Sequence, residues 1–337
     1  MKRYSIYDVA KKAGVGIGTV SRVINNSKHV KNSTRAKIQE IIKELDYQPD
    51  FFARNLVKKV SKTIGLLIPD IINPIFPEMA KGISDKAFLN DYTVFLSNTD
   101  ESIEKEIKLV NQLIEKRVDG IIFISTEMCN KDGDYTHYIY LTKKNIPTVL
   151  INGSLKGTDI PFVRINELKA GYLATRHMIK KGLRKIAFLG GPENSIPTIE
   201  KLKGYKKAFK EFNLTIEKKY IILDKYEIKN GFKNTTSLLN MKEKPEGIIT
   251  VSDALAIETI RAARVKNISI PDDIKIIGFD DIKFSGSFSP SITTIAQPKY
   301  KMGAMALGML IHLIENTVLP ERRVVIEPKL ILRDSCP

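Results

Sequence analysis

An all-α helix-turn-helix headpiece followed by an α/β core of two doubly wound parallel-sheet lobes is the fold class this sequence predicts. Three observations carry it. The opening segment holds three short helical patterns punctuated by turn signals. From residue 62 onward, apolar strand-like runs alternate with amphipathic stretches, the rhythm of parallel βαβ units. That rhythm runs twice in tandem, which suits two lobes whose ligand cleft lies beyond the carboxyl ends of the strands.

In the headpiece, Ser5 and Asp8 form an S-x-x-D start, a capping-box variant. Ile6, Val9, Ala10 and Ala13 then share one helical face, and Gly14 stands where a helix stops. A second apolar series follows at Ile17, Val20, Val23 and Ile24. The third helix, with Asn32 as its expected N-cap, runs through Ala36, Ile38, Ile41, Ile42 and Leu45. Tyr47-Gln48-Pro49 ends the unit, because proline and its predecessor disfavour helix. The stretch "DFFARNLVKK" is long enough for one or two helical turns only, marginal in isolation.

The core strands are expected at Thr63–Ile68, Thr93–Leu96, Gly120–Ser125 and Pro147–Ile151, then at Lys185–Leu189, Gly247–Val251 and Ile274–Phe279. A helix around Lys299–Ile314 and a final strand near Val324–Leu332 close the chain. The division is therefore a headpiece at 1–47, a connector at 48–61 and a core at 62–337. Within the core, the N-lobe is expected at about 62–162 and 292–322, and the C-lobe at about 163–291 and 323–337.

Charge is unevenly spread over the 337 residues: 13 Lys and Arg face 5 Asp and Glu in residues 1–60, a net of +8. The remaining 277 residues carry 41 against 33, also +8. A lysine-rich composition alone does not concentrate charge in this way, so the basic end points to a polyanion partner. No run reaches the roughly 18 apolar residues of a membrane helix. The basic N-terminus lacks an apolar stretch behind it, so no secretory leader is expected. With only Cys129 and Cys336, a disulfide framework is excluded and a cytoplasmic setting is expected.

Residues 14–25, "GVGIGTVSRVIN", invite a phosphate-binding reading. That reading fails, because a dinucleotide fingerprint needs a strand before the glycines and a third glycine in G-x-G-x-x-G. Here the glycines separate two short helices in the basic headpiece. The second helix then becomes the one that enters a DNA major groove.

The ordered motifs "IYDVAKKAGV", "TVSRVINN", "VKNSTRAKI", "LDYQPD", "ARNL", "GLLIPDIINPIF", "VDGIIF", "KLKGYKKAF", "SDALAI" and "IPDDIKIIGFDD" resemble the LacI/GalR (lactose-repressor) family of bacterial transcription regulators across nearly the whole chain. The resemblance implies a DNA-binding headpiece, a hinge helix within 48–61 and a core of the type I periplasmic binding protein kind. It also implies a homodimer on a near-palindromic double-stranded DNA operator, with a small-molecule effector, a sugar or sugar phosphate, in the cleft.

Carried over residue by residue, the DNA-facing set is Ser5, Ile6, Ile17, Gly18, Thr19, Ser21, Arg22, Asn25, His29, Thr34, Tyr47, Ala53 and Leu56. Family members place larger polar readers at positions 17 and 18. Ile17 can instead meet a thymine methyl, and Gly18 lets the backbone come close. Arg22 is the remaining polar base reader, with guanine its best geometric partner. Thr19, Ser21, Asn25, His29, Thr34 and Tyr47 match positions touching phosphates or groove walls, contacts that fix register; Thr19 and Ser21 also fit a plain capping or solvating role. Leu56 matches a minor-groove wedge, with Ala53 small enough for two hinge helices to approach; Asp50 stands in place of the commoner asparagine.

The implied effector set is Phe76, Asn152, Lys201, Tyr226, Ser252 and Asp280. Phe76 and Tyr226 match aromatic walls, with a core role as the competing reading. Asp280 matches a hydrogen-bonding carboxylate, with a loop-bracing role as its competitor. Lys201 replaces an arginine and loses the bidentate fork. "VDGIIFIS" and "PKYKMGA" lean towards the catabolite-control branch, whose members bind a phosphocarrier protein through the helix after residue 299. Tyr300 fits that helix, but Lys301, Gly308 and His312 depart from it, so a local repressor of sugar-utilisation genes is the expectation and a global catabolite regulator the alternative. The histidines at 29, 137, 177 and 312 form no metal spacing, and no nucleophile elbow or P-loop appears. No catalytic residue, metal or cofactor is expected.

Overall fold

The computed structural model describes residues 4–24, 27–47, 60–124, 133–155 and 157–337. Asn25, Ala53 and Leu56, with the expected hinge helix, lie outside these residues. The chain separates into two compact units, Met1–Ser61 and Lys62–Pro337.

In the first unit, α1 (Ile6–Ala13), α2 (Ile17–Ile24) and α3 (Asn32–Glu44) pack around Val9, Ala10, Val20, Val23, Ile38 and Ile41. The Asp8 carboxylate accepts from the backbone N–H and the Oγ of Ser5, both at 2.7 Å. Gly14 closes α1 at φ 69°, a left-handed cap that needs no Cβ. Asn32 differs from expectation: it is the first helical residue, and Lys31, which makes no side-chain cap bond, sits at the cap.

In the second unit, one six-stranded sheet runs β11-β5-β4-β3-β1-β2 and the other β12-β10-β9-β8-β6-β7. The first comprises β1 (Thr63–Ile68), β2 (Thr93–Asn98), β3 (Gly120–Ile124), β4 (Thr148–Ile151), β5 (Phe162–Ile165) and β11 (Arg323–Ile326). The second comprises β6 (Ile186–Gly190), β7 (Ile221–Leu223), β8 (Gly247–Thr250), β9 (Lys275–Asp280), β10 (Thr293–Ala296) and β12 (Lys329–Ile331). All pairings are parallel except β10 with β12. Read from β2 and from β7, the two orders are the same, so each lobe has its topological switch between its first and third strands.

The pairing corrects the expected lobe boundaries. β10 belongs to the C-lobe sheet although residues 292–322 were assigned to the N-lobe. β5 and β11 belong to the N-lobe sheet, although 163–165 and 323–326 were assigned to the C-lobe. The single strand expected near Val324–Leu332 is two, one in each sheet. Pro328 between them has no N–H to extend a ladder, and the chain crosses lobes there.

The helices are α4 (Ile75–Phe88), α5 (Ile103–Glu115), α6 (Thr136–Lys143), α7 (Glu167–Lys180), α8 (Ile196–Glu211), α9 (Ile228–Leu239), α10 (Asp253–Val265) and α11 (Lys299–Ile314). Each lobe holds one helix pair at backbone contact. In the C-lobe, a Cβ on Gly171 would sit 2.0 Å from the Lys201 carbonyl oxygen, and one on Gly204 2.0 Å from that of Leu168. Gly82 of α4 and Gly303 of α11 meet in the same reciprocal way in the N-lobe.

Because backbone blocks both sides, Gly204→Ala is expected to cost ~1–3 kcal/mol by forcing α7 and α8 apart. Chemical denaturation of the full chain reads this directly; an unchanged midpoint would refute the close-packing account.

Candidate functional site

The second helix of the headpiece turns two faces. Val20 and Val23 are buried, while Ile17 is 39% exposed and Gly18 and Arg22 are exposed. Thr19 and Ser21 are half-buried at the margin, and Thr19 donates its N–H to the Gly16 carbonyl. A Cβ at Gly18 would meet nothing within 4 Å. The protein's own packing therefore gives no reason for glycine there. The Arg22 guanidinium has no partner among the described residues, and its carbonyl accepts from the Ser27 N–H.

Ser5 and His29 are exposed, Ile6 and Thr34 half-buried. Tyr47 is different: it is 8% exposed and packs in the headpiece core. Sequence reading passed over Tyr7, which is 67% exposed on the face of α1 opposite Val9, Ala10 and Ala13. An aromatic on the polar face of an amphipathic helix was the signal available.

In the core, Phe76, Asn152, Lys201, Tyr226, Ser252 and Asp280 all line one cleft of about 340 Å³. They come from both lobes, and most sit at or just past the carboxyl ends of β4, β8 and β9 or within the first two turns of α4 and α8. Asp70, Asn73, Glu101, Glu167, Ser195 and Gln297 share the lining and were not singled out from sequence. Gln297 lies in the crossover after β10, where no motif marks it.

Asp280 is 7% exposed. Its backbone takes φ 105°, a strained value for a residue with a side chain. The Lys299 ammonium holds that turn, donating to the carbonyls of Asp280 at 2.6 Å and Asp281 at 2.9 Å. The Asp280 Oδ1 accepts from Gln297 Nε2 at 2.7 Å. Burial, then the nearby Asp253 carboxyl, push the Asp280 pKa up to about 7, against the pull of Lys201 and Lys299. Asp253 itself is fully buried and accepts from Ser285 Oγ and Thr294 Oγ1, each at 2.6 Å, and from the Ile282 N–H.

Lys201 Nζ lies 2.9 Å from Glu167 Oε2, a buried ion pair. The ammonium also sits 4.9 Å from the centre of the Phe279 ring. Burial lowers the Lys201 pKa, but Glu167, Tyr226 and Asp280 outweigh it, so the group stands above the ordinary lysine value. Tyr226 shares its hydroxyl with Ser195 Oγ at 2.7 Å and Thr198 Oγ1 at 2.9 Å. Ser252 Oγ accepts from the Leu255 N–H and caps α10, a structural duty beside any ligand contact. Phe76 is half-buried and packs its inner side on the core.

No helix among the described residues is long and apolar enough to cross a membrane. Nor do they contain a group of three or more His, Cys, Asp or Glu placed to hold a metal.

The arrangement is that of a ligand-controlled DNA-binding regulator. Residues 5–50 match the model of bacterial regulatory proteins of the lacI family, and residues 175–336 that of a periplasmic binding protein-like domain. The ribose operon repressor of Halalkalibacterium halodurans is 38% identical over 98% of this chain and 96% of its own length. Catabolite control protein A of Priestia megaterium is 36% identical over 98% of both chains. The crystal structure of the lac repressor dimer bound to operator and the anti-inducer ONPF superposes with a TM-score of 0.87 and 25% identity over 99% of both chains. This chain belongs to the lacI family of bacterial regulatory proteins. It is a DNA-binding transcriptional regulator and not an enzyme.

The raised Asp280 pKa has a definite sign for stability. From its ordinary 3.8 to about 7, the native state holds a proton that the unfolded chain has released, so this contribution is present at low pH and lost as pH rises. Wild type should therefore lose stability relative to Asp280→Asn as pH is raised from roughly 5 to roughly 8. Parallel denaturation profiles for the two proteins would contradict this.

Proposed function

We propose that this protein represses carbohydrate-utilisation genes as a cytoplasmic homodimer, binding a near-palindromic operator with an affinity set by a small-molecule effector in the interlobe cleft. The observation that carries the reading is the convergence of two aromatic walls, Phe76 and Tyr226, with Asn152, Lys201, Asp280 and Gln297 on one cleft. Apolar walls with a few convergent polar groups make a small-molecule site. The same cleft sits at the switch points of both sheets, where ligands of such folds bind.

The DNA end is read as follows. Ile17, Gly18 and Arg22 present the outer face of α2 to base edges, with Ile17 on a thymine methyl and Arg22 on guanine. Ser5, Ile6, Thr19, Ser21, Asn25, His29, Thr34 and Tyr47 set register on the backbone. Ala53 and Leu56 act at the operator centre. Exposed apolar side chains on the core, among them Phe88 at 82%, Leu89 at 77% and Phe95 and Leu96 on the edge strand β2, supply surface that a second copy can cover. The domain division at 1–47, 48–61 and 62–337 gives each task its own segment.

Two substitutions separate structure from DNA reading. Gly18→Ala should stabilise the headpiece by ~0.5–1 kcal/mol while weakening operator binding, since the added methyl has room in the protein and none against a groove floor. Arg22→Ala should cost ~1–3 kcal/mol of specific binding and relax sequence preference at one operator position. The operator comes from capture of genomic fragments by the full chain at stated salt. A few palindromes beside sugar genes support the reading; retention without a shared sequence would falsify it, and dozens of dispersed sites would favour global catabolite control.

A further inference from the structure

The charges and helix ends around the cleft specify what can enter it. We infer that the effector is an uncharged polyhydroxyl compound and that phosphate esters and carboxylates are excluded, an inference that rests on the small-molecule reading above and narrows it. Among the described lining residues there are four acids, Asp70, Glu101, Glu167 and Asp280, and one cation, Lys201. That cation is already spent. Its side chain is 6% exposed and lies 2.9 Å from Glu167.

Proteins without free cations can still hold phosphate on the bare N–H groups of a helix N-terminus. Helices α4, α7, α8, α9 and α10 begin at this cleft. At α4 the Pro74 and Pro77 nitrogens carry no hydrogen and Asn73 accepts from the Ile75 and Phe76 N–H groups; Glu227 stands at the cap of α9. Asn166 accepts from the Lys169 N–H and Glu167 opens α7; Ser195 accepts from the Thr198 N–H and α8 carries proline in its first turn. Ser252 accepts from the Leu255 N–H, and the buried Asp253 opens α10. Carboxylates at the starts of α7, α9 and α10 already occupy the favourable end of the dipole.

The cleft also holds an acceptor in want of a donor. Gln297 is 6% exposed, and its Oε1 has no hydrogen-bond partner among the described residues. The carboxylates beside it also accept. Hydroxyl groups donate to such acceptors, whereas a phosphate dianion can only accept. A second buried anion beside Asp280, whose own pKa burial has already raised, meets the full desolvation and like-charge penalty. Phe76 and Tyr226 leave ring faces for the C–H surface of a sugar or cyclitol.

Calorimetry on the full-length protein tests this with a library containing neutral sugars and polyols, each beside its phosphate ester or acid form, for example ribose with ribose 5-phosphate and glucose with glucose 6-phosphate and gluconate. At least one neutral compound should bind, with its charged counterpart weaker by ~100-fold or more. Glu167→Gln, which releases the Lys201 charge, should narrow that gap by at least ~10-fold; an unchanged gap would show that the Glu167–Lys201 pair does not set the selectivity and would count against the inference. A phosphate ester or acid binding wild type as tightly as its neutral parent would overturn the inference alone. If neither class binds, the small-molecule reading fails and this inference fails with it.

Discussion

The Lys299 ammonium is the contact on which the geometry of the core depends. It sits at the first residue of α11, a helix of the N-lobe, and is 3% exposed. From there it reaches the carbonyls that follow β9 in the C-lobe and lies 3.5 Å from Glu78 of α4. An ammonium buried this deeply is tolerable only when its donors are met and a counter-charge is near. Those same bonds hold Asp280 at a φ that an aspartate does not adopt unaided. One side chain thus fixes the cleft's carboxyl and ties it to the helix pair of the opposite lobe. A ligand that shifts the Asp280 turn must move the groups that Lys299 holds, or break them.

The helix pairs give that contact something rigid to act on. Gly171 and Gly204 bring α7 and α8 together at backbone distance, which is why Glu167 and Lys201, at the start and middle of those helices, meet at ion-pair distance. The α4–α11 pair does the same for Glu78 and Lys299. Both lobes repeat one strand order and one helix-pairing device, and the chain passes between them after β5, after β10 and after β11. Crossings of this kind leave each sheet intact while making the short linking segments the place where the lobes can turn.

Long periodic segments were legible in the sequence. Thr63–Ile68 and Lys299–Ile314 begin and end where their hydrophobic patterns say, because each pattern is decided within its own sheet or helix. The strands β5, β7 and β10 escaped, being three or four residues long and stabilised by neighbours far away in the chain. The split at Pro328 was visible as a proline, but that its two sides join different lobes is a tertiary fact. The six cleft residues came from resemblance, and their convergence on one cavity could not have been found by spacing alone. Glu167 and Gln297 were missed for opposite reasons: one looks like an ordinary first-turn acid, the other sits in a crossover without a motif.

Charge illustrates how far composition reaches. Net positive charge is shared equally between residues 1–60 and the rest of the chain, +8 on each side. In the headpiece that excess is a property of a whole small unit and acts at long range on a polyanion. In the core the same excess is dispersed over a large surface, while the described lining of the cleft it encloses holds four acids and one paired lysine. A basic protein has therefore built an acidic interior site. The charge of the headpiece and the lining of the cleft are set by different residues, so substitution at positions such as 167, 201 or 297 leaves the headpiece's attraction to DNA unaltered.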